Sequence, residues 1–228
     1  GSVLDDVVRN APGDVLVVDD GSTDDTAEVL SRRSDIQMVR HPENRGYGSA
    51  LLTAFDFAIR RGYDAIVTID SDGQHDSSLI PQFFAATEQA HIVSGSRYLQ
   101  VFDRNSLPPA ERQNINRIIT DELNQRFGLQ LTDAFCGFKA YRVCALKRLN
   151  IRETGYAMPL ELWVKAATAH MKIVELPVPL VYLDERRTFG GNLDDANIRL
   201  EYYRLTIERS AAEAETAGDY LSGCGERA

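Results

Sequence analysis

Short apolar runs rich in β-branched residues alternate with longer stretches whose apolar residues fall at helical spacing. This alternation limits the possible folds more than any other feature. Asp14-Val-Leu-Val-Val-Asp19, Ile36–Val39, Asp64-Ala-Ile-Val-Thr-Ile-Asp70 and Ile92-Val-Ser-Gly95 have the length and composition of buried strands. Between them the pattern predicts a helix capped at Ser22 or Thr23 and running to about Ser34. A second helix is predicted over 46–61, with Leu51, Leu52, Phe55 and Ile59 on one face, and a mostly helical stretch over 77–90, with Pro81 in its first turns. Repeated strand–helix–strand units favour an α/β fold with a mostly parallel sheet flanked by helices. Ligands of such sheets bind beyond the carboxyl ends of the strands, and two strands end there in acids: Asp19-Asp20 and Asp70-Ser-Asp72.

The rest of the chain fits one domain. Val3–Asn10 has helical spacing, and Gly1-Ser2 looks foreign to it. Beyond Pro108-Pro109 we expect a long helix over 110–127, a turn and strand within 132–141, a helix over 158–169, a strand over 172–176 and a last amphipathic helix over 196–209. Residues 210–228 have few large apolar side chains and read as a flexible tail, leaving 1–209 as the domain.

Charge narrows the function. The 228 residues carry 25 Lys and Arg against 34 Asp and Glu, a net charge of −9, which argues against a nucleic-acid binder. No apolar run approaches the ~18 residues of a membrane span, and no signal peptide is evident, so a cytoplasmic location is expected. Cys136, Cys144 and Cys224 lack CxxC spacing and read as reduced thiols.

Asp70-Ser-Asp72-Gly-Gln74 is the sharpest local motif. Two carboxylates one residue apart, just past a buried strand, can converge on a hard cation such as Mg²⁺ or Mn²⁺, with Gln74 adding a neutral oxygen. A strand end followed by an Asp-Gly turn explains the same residues. Asp24 and Asp25 suit a helix N-terminus. Asp19 and Asp20 precede that cap, and either can accept hydrogen bonds from a ribose or base.

Five segments in order, VVDDGSTDDT, HPENRGYGSALLTAF, IVTIDSDGQHD, VSGSRY and DAFCGFKAYR, resemble family 2 glycosyltransferases of the GT-A fold, from about Asp14 to Arg209. Within that family the pattern is most similar to the polyprenyl-phosphate sugar transferases, dolichol-phosphate mannosyltransferase among them. The resemblance implies that Asp20, with Asp19 and Arg45 nearby, contacts the nucleotide. Asp70 and Asp72 would hold the metal and diphosphate, with Gln74 as a further ligand. Arg97 and Arg112 would face an acceptor phosphate, Asp133 would line the sugar pocket, and Arg187 would close over the diphosphate. Asn116 stands where the family often has Ser, and Gly190-Gly191-Asn192-Leu193 replaces its Gly-x-Ser-Lys. The family's opening strand, ending in a Pro-x-Tyr-Asn-Glu type turn, has no counterpart, so an N-terminal strand is expected to be missing.

The implied activity is inverting transfer of a hexose from a GDP- or UDP-sugar to a polyprenyl phosphate. Asp72, Arg97, Arg112 and Asp133 would be the catalytic set, with peripheral membrane contact and a homo-oligomer both compatible. A phosphate acceptor needs no general base, because its second pKa of ~6 leaves it mostly dianionic at neutral pH; it needs arginines. The alternatives are transfer to a soluble hydroxyl and a non-catalytic nucleotide-binding module. A phosphatase of the haloacid-dehalogenase type also places DxD after a strand, but it would want Thr or Val where Gln74 stands. His75 reads as a neighbour of the metal rather than a ligand. Glu161 reads as either a pocket acid or a buried, paired carboxylate. The run Lys139, Arg142, Lys147, Arg148, Arg152 reads as either a lipid-headgroup surface or an ordinary solvated face.

Overall fold

A computed structural model describes residues 2–103, 105–106, 108–181 and 190–216. The strand–helix alternation is realised with shorter elements. Helix α1 (Ser2–Asn10) leads into β1 (Leu16–Asp19), and α2 (Thr26–Ser31) connects to β2 (Gln37–Arg40), which pairs parallel with β1 from Leu16↔Gln37 to Asp19↔Arg40. Helix α3 (Tyr47–Arg61) ends at Gly62, whose φ of 75° terminates it in the left-handed region. Then come β3 (Ala65–Thr68), a 3₁₀ turn (Ser77–Leu79) running into α4 (Ile80–Ala86), and β4 (Ile92–Ser96). Helix α5 (Ala110–Phe127), β5 (Lys139–Arg142), α6 (Val143–Leu149), α7 (Met158–Thr168), β6 (Ile173–Pro177) and α8 (Ala196–Thr216) complete the order.

Four expectations are corrected. Helix α2 begins at Thr26 rather than at Ser22, because Asp19 accepts the Ser22 N–H and Asp24 the Thr26 N–H, holding the approach in turns. The sheet is mixed rather than mostly parallel: its order is β3-β5-β4-β6, and β5 enters antiparallel to both neighbours, while β1 and β2 form a separate parallel pair. Helix α6, part of the basic run, was not expected. Residues 210–216 continue α8 instead of fraying, with Ser210 buried and its Oγ donating to Thr206 O at 2.7 Å.

Two cores sandwich the larger sheet. Phe83 and Phe138 stack at 4.1 Å beneath α4, with Ile80 and Val93 around them. On the other side Trp163 of α7, Ile119 and Leu123 of α5, and Tyr203 and Ile207 of α8 are buried together. Trp163 Nε1 donates to Ala134 O at 2.8 Å, tying α7 to the loop entering β5. Burial of such side chains is worth about 1.5–3 kcal/mol each, and here it fixes the loops at one end of the sheet.

Candidate active site

Beyond β3 the chain turns sharply. Gly73 takes φ 79°, and Asp72 Oδ1 accepts the Gln74 N–H at 3.0 Å. Thr68 Oγ1 donates to Gly137 O at 3.0 Å and so fixes the loop that enters β5 alongside. Gly137 has no room for a side chain: a Cβ would collide with Asp70 Oδ2. His75 Nε2 sits 3.2 Å from the same oxygen, with its ring against Phe138. Asp70, Asp72, Gln74 and His75 therefore line one cleft of about 190 Å³. Arg97, Arg112 and Arg199 line it as well. Carboxylates and guanidinium groups in one cleft can hold a cation and anionic substrate groups together.

Arg97 is aimed from behind. Its Nε and one terminal nitrogen donate to Asp133 Oδ2 and Oδ1 at 2.6 and 2.9 Å, a two-pronged pair, and its backbone N–H adds a third bond at 3.2 Å. Asn116 Nδ2 donates to the same carboxylate at 2.7 Å and is itself held by the Thr120 hydroxyl. Burial alone would raise the Asp133 pKa, but the Arg97 charge and these donors pull it down to about 2, while Arg97 is pushed well above its usual value. Asp133 is fully buried and does not line the cleft, contrary to expectation; its position behind Arg97 makes it an orienting residue.

The acids after β1 also turn inward. Asp19 is buried, accepts from Ser22 N and lies 3.1 Å from Arg40 Nε. Asp20 accepts the Arg45 and Gly46 N–H groups at 3.0 and 2.8 Å, and His41 Nδ1 lies 2.6 Å from it. Burial would raise the Asp20 pKa, yet these bonds keep it below its ordinary value. Of the expected nucleotide residues, Asp70 lines the cleft, and Asp19, Asp20 and Arg45 are not among its lining residues. Arg187 lies outside the described residues.

Other assignments resolve structurally. Glu161 is buried, accepting from the Arg152 and Glu153 N–H groups and from Lys165 Nζ, so it is a paired structural carboxylate. Lys139 is also buried, with its ammonium on Cys136 O and 5.3 Å from the Trp163 ring, so the basic run does not form one exposed face. Cys136 and Cys144 are thiols rather than half-cystines. Sequence reading missed Arg199, Tyr203, Tyr47 and Tyr156, which line the cleft, the last two as a stacked pair at 5.9 Å. Arg199 carried one legible signal: it lies four residues before Tyr203, on the apolar stripe of α8.

The residues fit a hard divalent cation. Asp70 and Asp72 supply oxygen donors, and among the described residues no group of three or more His, Cys, Asp or Glu could hold a metal alone. Mg²⁺ and Mn²⁺ characteristically complete such partial shells with phosphate oxygens and water.

Comparison with known proteins agrees with this chemistry. Residues 2–149 match the family described as Glycosyl transferase family 2. The chain is 29% identical to undecaprenyl-phosphate mannosyltransferase of Micrococcus luteus, over 84% of this chain and 82% of that protein. It is 26% identical to polyprenol monophosphomannose synthase of Mycolicibacterium smegmatis, over 84% and 74%. The crystal structure of glucosyl-3-phosphoglycerate synthase from Mycobacterium tuberculosis with Mn²⁺, UDP-glucose and phosphoglyceric acid superposes with a TM-score of 0.68 at 18% identity, over 98% of this chain and 76% of that one. That likeness establishes the GT-A fold. The chain belongs to glycosyl transferase family 2, and it is a glycosyltransferase.

Proposed function

We propose that the protein transfers a hexose, with inversion, from a nucleoside-diphosphate sugar to a polyprenyl phosphate. The observation that carries this reading is the sharing of one cleft by Asp70 and Asp72 with Arg97, Arg112 and Arg199. The names of the Micrococcus and Mycolicibacterium relatives support the lipid-phosphate acceptor. A divalent cation held by Asp70 and Asp72, with Gln74 beside them, would neutralise charge on the departing diphosphate; Mn²⁺ in the solved neighbour supports it. Arg97, held rigid by Asp133, and Arg112 on the first turn of α5 bind the acceptor phosphate and hold its oxygen toward the anomeric carbon. No residue need remove a proton from a dianionic acceptor.

Incubating the purified enzyme and Mn²⁺ with radiolabelled nucleotide sugars and polyprenyl phosphate tests the reading. Label in the lipid is expected. Arg112→Ala should raise the acceptor KM by about one to two decades, the equivalent of roughly 1.5–3 kcal/mol for a charge-assisted bond, and leave donor binding unchanged. Lys at that position keeps the charge without the fork and should recover part of the loss. Label found only in a water-soluble acceptor, with Arg112→Ala unaffected, would sink the proposal.

A further inference from the structure

Two adjacent tyrosines on α8 have different surroundings. Tyr202 donates its hydroxyl to Glu153 Oε1 at 2.7 Å. Tyr203 is only 3% exposed and lines the cleft, yet its hydroxyl bonds no described residue. A buried phenol normally finds a partner, because an unpaired one forfeits its hydration. The Tyr203 ring cannot swing away to find one elsewhere. It packs on Phe135 at 4.9 Å and on Tyr202 at 5.8 Å, within the core that also holds Trp163 and Ile207. Among the described residues nothing satisfies this hydroxyl, so its partner is whatever enters the cleft.

The neighbouring charges define the chemistry of that partner. Arg199 lies one helical turn earlier on the same face of α8, held by Glu111 of α5 and by Leu193 O. Its charge and that of Arg112, the residue after Glu111, both act on the phenol oxygen. Guanidinium groups can only donate hydrogen bonds, so the group that meets two arginines and a phenol at once is an anionic oxygen. We propose that the Tyr203 hydroxyl donates a hydrogen bond to the acceptor phosphate beside Arg112, as a further substrate-binding residue. The choice of acceptor over donor phosphate rests on the place given to Arg112 in the proposed function. Burial pushes the phenol up to about 12, against the pull of the two arginines. It therefore keeps its proton at neutral pH and serves as a donor, not a base.

Tyr203→Phe removes the oxygen and keeps the ring, so it isolates the hydroxyl. The test uses the full chain with Mn²⁺, radiolabelled nucleotide sugar and a water-soluble short-chain isoprenyl phosphate. The variant should raise the acceptor KM about ten- to hundredfold, the range for a hydrogen bond to a charged group, with kcat and the donor KM nearly unchanged. The same loss should appear without turnover, when isoprenyl phosphate is titrated calorimetrically into protein holding Mn²⁺ and UDP or GDP. The melting temperature without substrates should not fall, since no described residue loses a bond. An unchanged acceptor KM, or a rise in the donor KM instead, overturns the proposal. A lower melting temperature also overturns it, because the hydroxyl would then have a structural partner. If the wild type labels no isoprenyl phosphate, the proposed function fails and the titration still decides Tyr203. Weaker binding by the variant then upholds the hydroxyl's role, and equal binding, or none by the wild type, overturns it.

Discussion

Gly137 owes its identity to Asp70, because a methyl group there would collide with the carboxylate. Gly137→Ala should therefore leave the protein folded, since a side chain can swing aside, but displace Asp70. We expect the Mn²⁺ concentration for half-maximal activity to rise with little change in melting temperature; an unchanged metal requirement would refute the contact's importance. Asp133 has the opposite profile. Asp133→Asn strips the counter-charge from Arg97, and breaking a buried pair from one side costs about 3–5 kcal/mol, so the loss should appear in denaturant unfolding. The pair also sets an acid limit. The folded pKa of Asp133 is about 2, below its ordinary 3.8. Its contribution is therefore fully present above the ordinary value and is lost as pH falls from 3.8 toward 2. Acid unfolding of the wild type should steepen in that window, and Asp133→Asn should flatten it. Glu175, pushed up by burial, works in the opposite sense and cannot produce that steepening.

At the scale of elements, Asp20 and Asp24 look alike in sequence but differ in the fold. Asp20 joins the end of β1 to the N–H groups that precede α3, and His41 bridges it to Thr53 Oγ1 on that helix. Asp24 is exposed and caps only a local turn. Asp20→Ala should cost about 1.5–3 kcal/mol, the range for hydrogen bonds to a charged group, whereas Asp24→Ala should stay within about 0.5 kcal/mol. Equal melting temperatures for the two variants would contradict the structure. The same region shows what the sequence conveys about elements and what it does not. The strand cores and α5 were legible because period and composition are local. The start of α2 was not, because the Ser22 N–H bonds to a side chain three residues back instead of entering the helix. The direction of β5 was not either: apolar content marks a strand as buried, but pairing direction depends on the path of the connection. Helix α6 hid in a segment whose charges suggested a surface, although Val143, Ala145, Leu146 and Leu149 are its buried residues.

The whole molecule assembles its cleft from distant segments: the start of α3, the loop after β3, the loop after β4, α5, the loop into β5, the start of α7, and α8. That Asp70 and Asp72 share one opening was legible because both lie within one turn, and that Arg97 and Arg112 lie beside them because the family resemblance carries them. Arg199, Tyr156 and the inward turn of Asp133 were not, because only packing decides which side of a buried network faces the opening. This division yields a molecule-wide prediction about ligand linkage. With an incomplete cation shell among its described residues, the protein should bind metal and nucleoside diphosphate together rather than separately. Mn²⁺ alone should barely shift the melting temperature, and the nucleotide alone should do little more. The pair at about 100 times its dissociation constant should add about 2.7 kcal/mol, which in a chain of this size is roughly 5–10 °C. Asp72→Asn is the discriminating variant. Asn keeps an oxygen that can accept the Gln74 N–H, so the turn survives, but the charge that binds the cation is gone. Its melting temperature without ligands should match the wild type, while the joint shift and turnover should both disappear. A full joint shift in Asp72→Asn would place the metal elsewhere, and an equal shift with nucleotide alone in the wild type would show that binding needs no cation.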